Sequence, residues 1–146
     1  MLTIKKLLIL LAVPCVLLTG CNSGPSAQEQ KAALEGQVMQ VHDEAMAKMS
    51  QTYHLRRDLR ALRDTLEAQQ ADSVALQQLQ QHLQQLSKAD EAMMDWMHQY
   101  HAPDSMAHQQ AMDYLRLEQE KINNVNAKMD SAISAARKTY TAYEQK

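Results

Sequence analysis

Residues 73–100 read SVALQQLQQHLQQLSKADEAMMDWMHQY, and HAPDS follows at 101–105. In the first stretch Leu76, Leu79, Leu83, Leu86, Ala89, Met93, Met97 and Tyr100 recur at spacings of three and four. That period is one face of an α-helix and not the alternation of a strand. Between the leucines the chain is mostly Gln (Gln77, Gln78, Gln80, Gln81, Gln84, Gln85), an uncharged solvent side. At the break, Pro103 disfavours helix in the residue before it, and Asp104 or Ser105 can cap a new helix. A helix that stops there and restarts must fold back on itself.

The same period extends in both directions. Upstream it runs Leu34, Val38, Val41, Ala45, Met49, Leu55, Leu59, Leu62 and Leu66, with Thr52 filling the one gap. Ser26 with Glu29 three residues on is a capping box, and Asp72-Ser73 after Gln69-Gln70-Ala71 marks a tight turn. Downstream it runs Ala111, Leu115, Ile122, Val125, Met129, Ile133, Ala136, Tyr140 and Tyr143, with Glu118 in the slot after Leu115. Asp90 flanks the middle line, and a buried acid needs a partner. The pattern predicts an all-α chain, an elongated, coiled-coil-like antiparallel three-helix bundle. Its helices fall at about 27–69, 73–100 and 105–144, roughly 65, 42 and 60 Å long. Three Gly and three Pro are too few to turn the many strands of a sandwich or barrel.

Tight turns fix a level rule: facing residues on helices 1 and 2 have numbers adding to about 142, and on helices 2 and 3 to about 205. The start of helix 1 and the end of helix 3 then overhang. Exposure of Val38, or of Ile133 and Tyr140, predicts self-association or a protein partner there. The rule also gathers Met39, Met46, Met49, Met93, Met94, Met97, Met106 and Met112 at one end with His42, His98, His101 and His108, leaving Met129 elsewhere. Met is a flexible filler of irregular cores and packs well on aromatics such as Trp96. A Met-lined docking groove would place hot spots among Trp96, Met97, Tyr100 and Met46. Thioether and imidazole together suit Cu(I), for which the candidate ligands are His42, Met46, Met94, Met97, His98 and His101. Asp95-x-x-His98 has the carboxylate–His spacing of bundle metal sites, but on one helix only.

At the start of the chain, Lys5 and Lys6 precede an apolar run of twelve residues, Leu7–Leu18. It is too short for a mature span, which needs about 20 residues, and suits the core of a signal peptide. The run ends in Leu18-Thr19-Gly20-Cys21, which resembles the bacterial lipoprotein signal. The resemblance implies removal of residues 1–20, covalent lipid on Cys21, a short tether over 21–26 and a bundle domain over 27–146. Two or more acyl chains give stable anchoring. Asn22-Ser23, in place of an Asp after the cysteine, points to the outer membrane facing the periplasm. Tyr140, Tyr143 and Lys146 resemble the end of the outer-membrane lipoprotein whose terminal lysine is joined to peptidoglycan, a match of one terminal residue with tyrosines nearby; a terminal lysine equally complements the helix dipole.

Three further stretches, HDEAMAKM at 42–49, DEAMMDWM at 90–97 and KINNVN at 121–126, resemble small bacterial lipoproteins commonly labelled "viral A-type inclusion protein". The resemblance covers most of residues 38–137. That family carries no established activity, so no functional residues transfer from it.

The remaining features exclude more than they assign. The net charge is −2, and −4 without Lys5 and Lys6, which is no nucleic-acid footprint. Both Cys lie within the first 21 residues, so no disulfide framework or Cys-based zinc module is expected. Arg56, Arg60 and Arg63 share a face, with Arg57 beside it, and read as a solvated stripe paired with Asp58, Asp64 and Glu67. No nucleophile elbow, Gly-rich phosphate loop or zinc-protease motif occurs. The expectation is a non-enzymatic, lipid-anchored envelope protein, structural or protein-interacting, with no cofactor beyond its lipid and with copper-type binding as the alternative.

Overall fold

A computed structural model describes residues 24–145. The stretch expected to be a signal peptide, Cys21 and Lys146 lie outside the described residues. Three helices, α1 (Ala27–Ala68), α2 (Ser73–Gln99) and α3 (His108–Glu144), pack pairwise against one another, an all-α three-helix bundle.

Helix α1 begins where the capping box predicts. Glu29 N–H donates to Ser26 Oγ at 3.2 Å, and Ser26 N–H donates to Glu29 Oε2 at 2.6 Å. The Ser26 N–H, and then its hydroxyl, hold the Glu29 carboxyl below its usual value. The helix ends without a glycine. Gln70 adopts a left-handed φ of 57°, its N–H donates to Glu67 O, and Ala71 N–H donates to Leu66 O. This pair of bonds is a Schellman close, which satisfies the last carbonyls and reverses the chain. Asp72 then caps α2 by accepting from Val74 N–H at 3.1 Å.

The α1–α2 alignment follows the level rule. His42 meets Trp96, Thr52 meets Asp90, and Arg63 meets Gln80. The α2–α3 alignment does not. Thr139 meets His82 at 2.9 Å, where a tight turn would set Asn123, sixteen residues earlier and roughly 24 Å along a helix. The reason is the connection, residues 100–107. It first runs extended along α1 from Tyr100 to Pro103 and reverses only then, in the turn that Met106 N–H closes on Pro103 O at 3.4 Å. Tyr100 is extended (φ −72°, ψ 134°), Pro103 is fully buried, and Lys31 of α1 donates to Pro103 O at 3.2 Å. Helix α3 therefore starts at His108, not 105. Its N-cap is Ala107, which offers no side-chain bond, so Asp104 and Ser105 do not cap it.

Helices α1 and α3 run parallel and in step almost throughout. Gln119 bonds Gln37, Lys48 bonds Asn126 and Asp130, and Arg137 bonds Gln51. The expected overhangs do not form. Val38 is 0% exposed and Ile133 is buried, while Tyr140 packs partly buried against the core. The core runs from Val38 through Leu59, Leu79, Leu86, Met93, Leu115, Ile122 and Met129 to Ala136.

Candidate functional site

The most distinctive region lies where α2 ends and the strap begins. A ladder of rings runs His42, Trp96, Tyr100, Tyr114, with centroids 5.7, 4.9 and 6.3 Å apart. Offset rings at these separations add about 0.5–1.5 kcal/mol each beyond burial. Tyr100 OH donates to Glu35 Oε1 at 3.3 Å, and His101 N–H donates to Tyr114 OH at 3.0 Å. The ladder thus ties α1, α2, the strap and α3 into one unit. Burial first, and then the Glu35 charge, push the Tyr100 phenol well above its ordinary value. Glu118, 2% exposed, keeps one oxygen on Lys121 Nζ at 2.7 Å. Its Oε2 and Trp96 Nε1 are the buried side-chain polar atoms without a hydrogen bond among the described residues.

The sequence reading missed Glu35 and Tyr114. Tyr114 stands three residues after Ala111 and one before Leu115, on the flank of the third apolar line, and that offset was the available signal.

Of the proposed docking residues, Trp96 is 5% exposed and belongs to the core, where it supports the flank and does not present itself. Tyr100 is half-buried within the ladder, and Met46 is half-buried beside the core. Met97 is 37% exposed and Met94 40%. Of the proposed metal ligands, Met94, Met97 and His98 occupy adjoining positions on one turn of α2, all exposed. His101 is exposed just past the helix end, in the strap. His42 and Met46 stand one turn apart on α1, and the Trp96 contact of His42 sets both level with that turn. His42, Met46, Met94, Met97 and His98 therefore stand at one level along α1 and α2, while His101 lies in the strap against Tyr114 of α3.

The wider methionine grouping shifts. Met129, beside Asp130, which pairs with Lys48, lies level with Met46 and Met49 and joins the cluster from within the core. Met106, Met112 and His108 instead lie further down, beside the start of α1, because the strap carries α3 there.

The arginine face also divides. Arg56 leaves the solvated stripe and pairs with Asp90 Oδ2 at 2.7 Å, while Arg57 and Arg63 hold Asp58 and Asp64. An open groove of about 730 Å³ runs between α1 and α3, lined by Lys48, Asp130, Ser134 and Arg137 among others. Among the described residues no three His, Cys, Asp or Glu side chains are gathered to hold a metal ion, and no helix is long and apolar enough to cross a membrane. No protein-family model matches the chain, and no curated protein or solved structure matches it significantly.

Proposed function

We propose that the chain is a lipid-anchored protein of the bacterial cell envelope, held at the outer membrane through Cys21, and that it works as a docking module, not as an enzyme. The leader and the Leu18-Thr19-Gly20-Cys21 box support the anchor. The docking role is carried by one observation: Met94 and Met97 stay exposed on α2, on the turn adjoining the rigid ring ladder. Flexible, polarizable thioethers on a firm support suit the apolar face of a partner helix. The likeness to the small lipoproteins labelled "viral A-type inclusion protein" agrees with this reading and adds no activity to it.

Two measurements test it. A clickable palmitate analogue fed to producing cells is expected to label the chain, and Cys21→Ala is expected to abolish both label and membrane fractionation. A photo-crosslinking amino acid at position 97 is expected to trap a discrete partner in cells, whereas one at Gln81, on the opposite side of α2, is not. Equal trapping from both positions, or from neither, refutes the docking flank while leaving the anchor standing.

A further inference from the structure

The geometry points to a soft-metal site, for Cu(I) and its redox-stable analogue Ag(I), built by Met94, Met97 and His98 on the last two turns of α2 and completed across the seam by Met46 and His42. It does not rest on the docking reading, since the purified chain alone suffices to test it.

The donors are arranged for it. Met94, Met97 and His98 are spaced i, i+3 and i+4, so their side chains leave the helix on one face as neighbours. All three are exposed, and the His98 ring makes no hydrogen bond or ion pair among the described residues. On α1, His42 Nδ1 donates to Asp43 Oδ1 at 2.8 Å. That bond fixes the tautomer and leaves the Nε2 lone pair free, the carboxylate–histidine arrangement that orients metal-binding imidazoles. Met46 follows one turn later, and the His42–Trp96 contact at 5.7 Å sets this pair level with Met97. The site adjoins the C-terminal end of α2, whose unsatisfied carbonyls favour a cation. The exposed carboxylate of Glu91 stands on the same face of α2, one turn before Met94 and two before His98.

The donor chemistry also selects the metal. The exposed donors on this face of α2 are two thioethers and an imidazole, and no group of three or more His, Cys, Asp or Glu is gathered among the described residues. Such a set favours a soft monovalent ion over Zn²⁺, Ca²⁺ or Mg²⁺.

The chain carries a single tryptophan, Trp96, and its ring lies against His42 at 5.7 Å, so it reports on the site through that ligand. Silver nitrate titrated into the full chain in chloride-free detergent buffer is expected to quench Trp96 emission with a break at one equivalent. Cu(I), supplied without oxygen and in competition with a chromophoric chelator, is expected to bind at the same ratio, and Zn²⁺ is not. Met94→Leu/Met97→Leu, which conserves volume at two exposed positions, is expected to weaken Ag(I) at least tenfold with unchanged helical circular dichroism. Should that variant lose helicity, His98→Gln carries the test, with the same sign expected. Absence of retained Ag(I) at micromolar concentration, wild-type affinity in the folded variants, or equal retention of Zn²⁺ would each overturn the site.

Discussion

Asp90 shows how single residues are satisfied inside this core. Its Oδ1 accepts from Thr52 Oγ1 at 2.6 Å, and its Oδ2 pairs with Arg56 at 2.7 Å. The Thr52 hydroxyl has one proton, placed between Asp90 and Met49 O at 2.8 Å, and the carboxylate is the stronger acceptor. Removing Arg56 strands a mostly buried charge. Arg56→Ala is therefore expected to cost about 2–3 kcal/mol in urea unfolding, below the fully buried range because the guanidinium still reaches water. Replacing Thr52, Arg56 and Asp90 together by apolar residues of similar volume is expected to recover that loss, which separates the cost of an orphaned charge from the net worth of the pair. Tyr100 gives the pH dependence. Its folded-state phenol titrates above the unfolded value of 10.0. The unfolded chain thus loses that proton first, so the contribution of Tyr100 is complete below about pH 10 and fades as pH rises further. Melting from pH 8 to 11 is expected to show a steeper alkaline fall for the wild type than for Tyr100→Phe. Thr52 and Asp90 were readable as exceptions in an apolar line, but their partnership was not. Thirty-eight residues separate them, and only the packed helices bring them together.

At the scale of elements, the two connections contrast. The first is closed by a Schellman turn on a non-glycine residue, Gln70 at φ 57°. A side chain in that conformation is strained by about 1–2 kcal/mol, which glycine avoids at some entropic cost. The second ends in a helix whose N-cap, Ala107, leaves the first amide protons without a side-chain acceptor. Gln70→Gly and Ala107→Asp are each expected to stabilise by about 1 kcal/mol, read as a shift in urea midpoint at constant slope. An unchanged midpoint for Ala107→Asp would mean that the start of α3 is already satisfied by other groups. The sequence displayed a good cap at Asp104-Ser105, and the structure passes it by. Burial of Pro103 and stacking of Tyr100 on Trp96 and Tyr114 favour an extended strap over an earlier helix start.

For the whole molecule, apolar periodicity fixed which face of each helix turns inward but not how far one helix slides along the next. A turn as short as 69–72 leaves no slack, so the α1–α2 alignment was legible. An eight-residue connection can be compact or extended, and local spacing does not distinguish the two. The level of Met46 relative to Met94 and Met97 was legible because it depends on the first turn alone. The positions of Met106, Met112 and Met129 depend on the second turn and were not. Spin labels at Gln51 and Arg137, hydrogen-bonded neighbours at 3.0 Å, test the alignment directly. Short-range dipolar coupling is expected. The tight-turn alignment would instead set Tyr114 beside Gln51 and move position 137 roughly 35 Å further along the rod.

Parallel α1 and α3 also give the molecule a mechanical character. The backbone enters at one pole and leaves at the other, about 55 Å away by the length of α3. A pull on both termini therefore loads the bundle in shear along its axis, so many side-chain contacts must yield together. A hairpin with both termini on one side would unzip contact by contact under the same tension. Three helices in step thus form a strut that keeps whatever grips its far pole at a set distance from whatever holds its first residues.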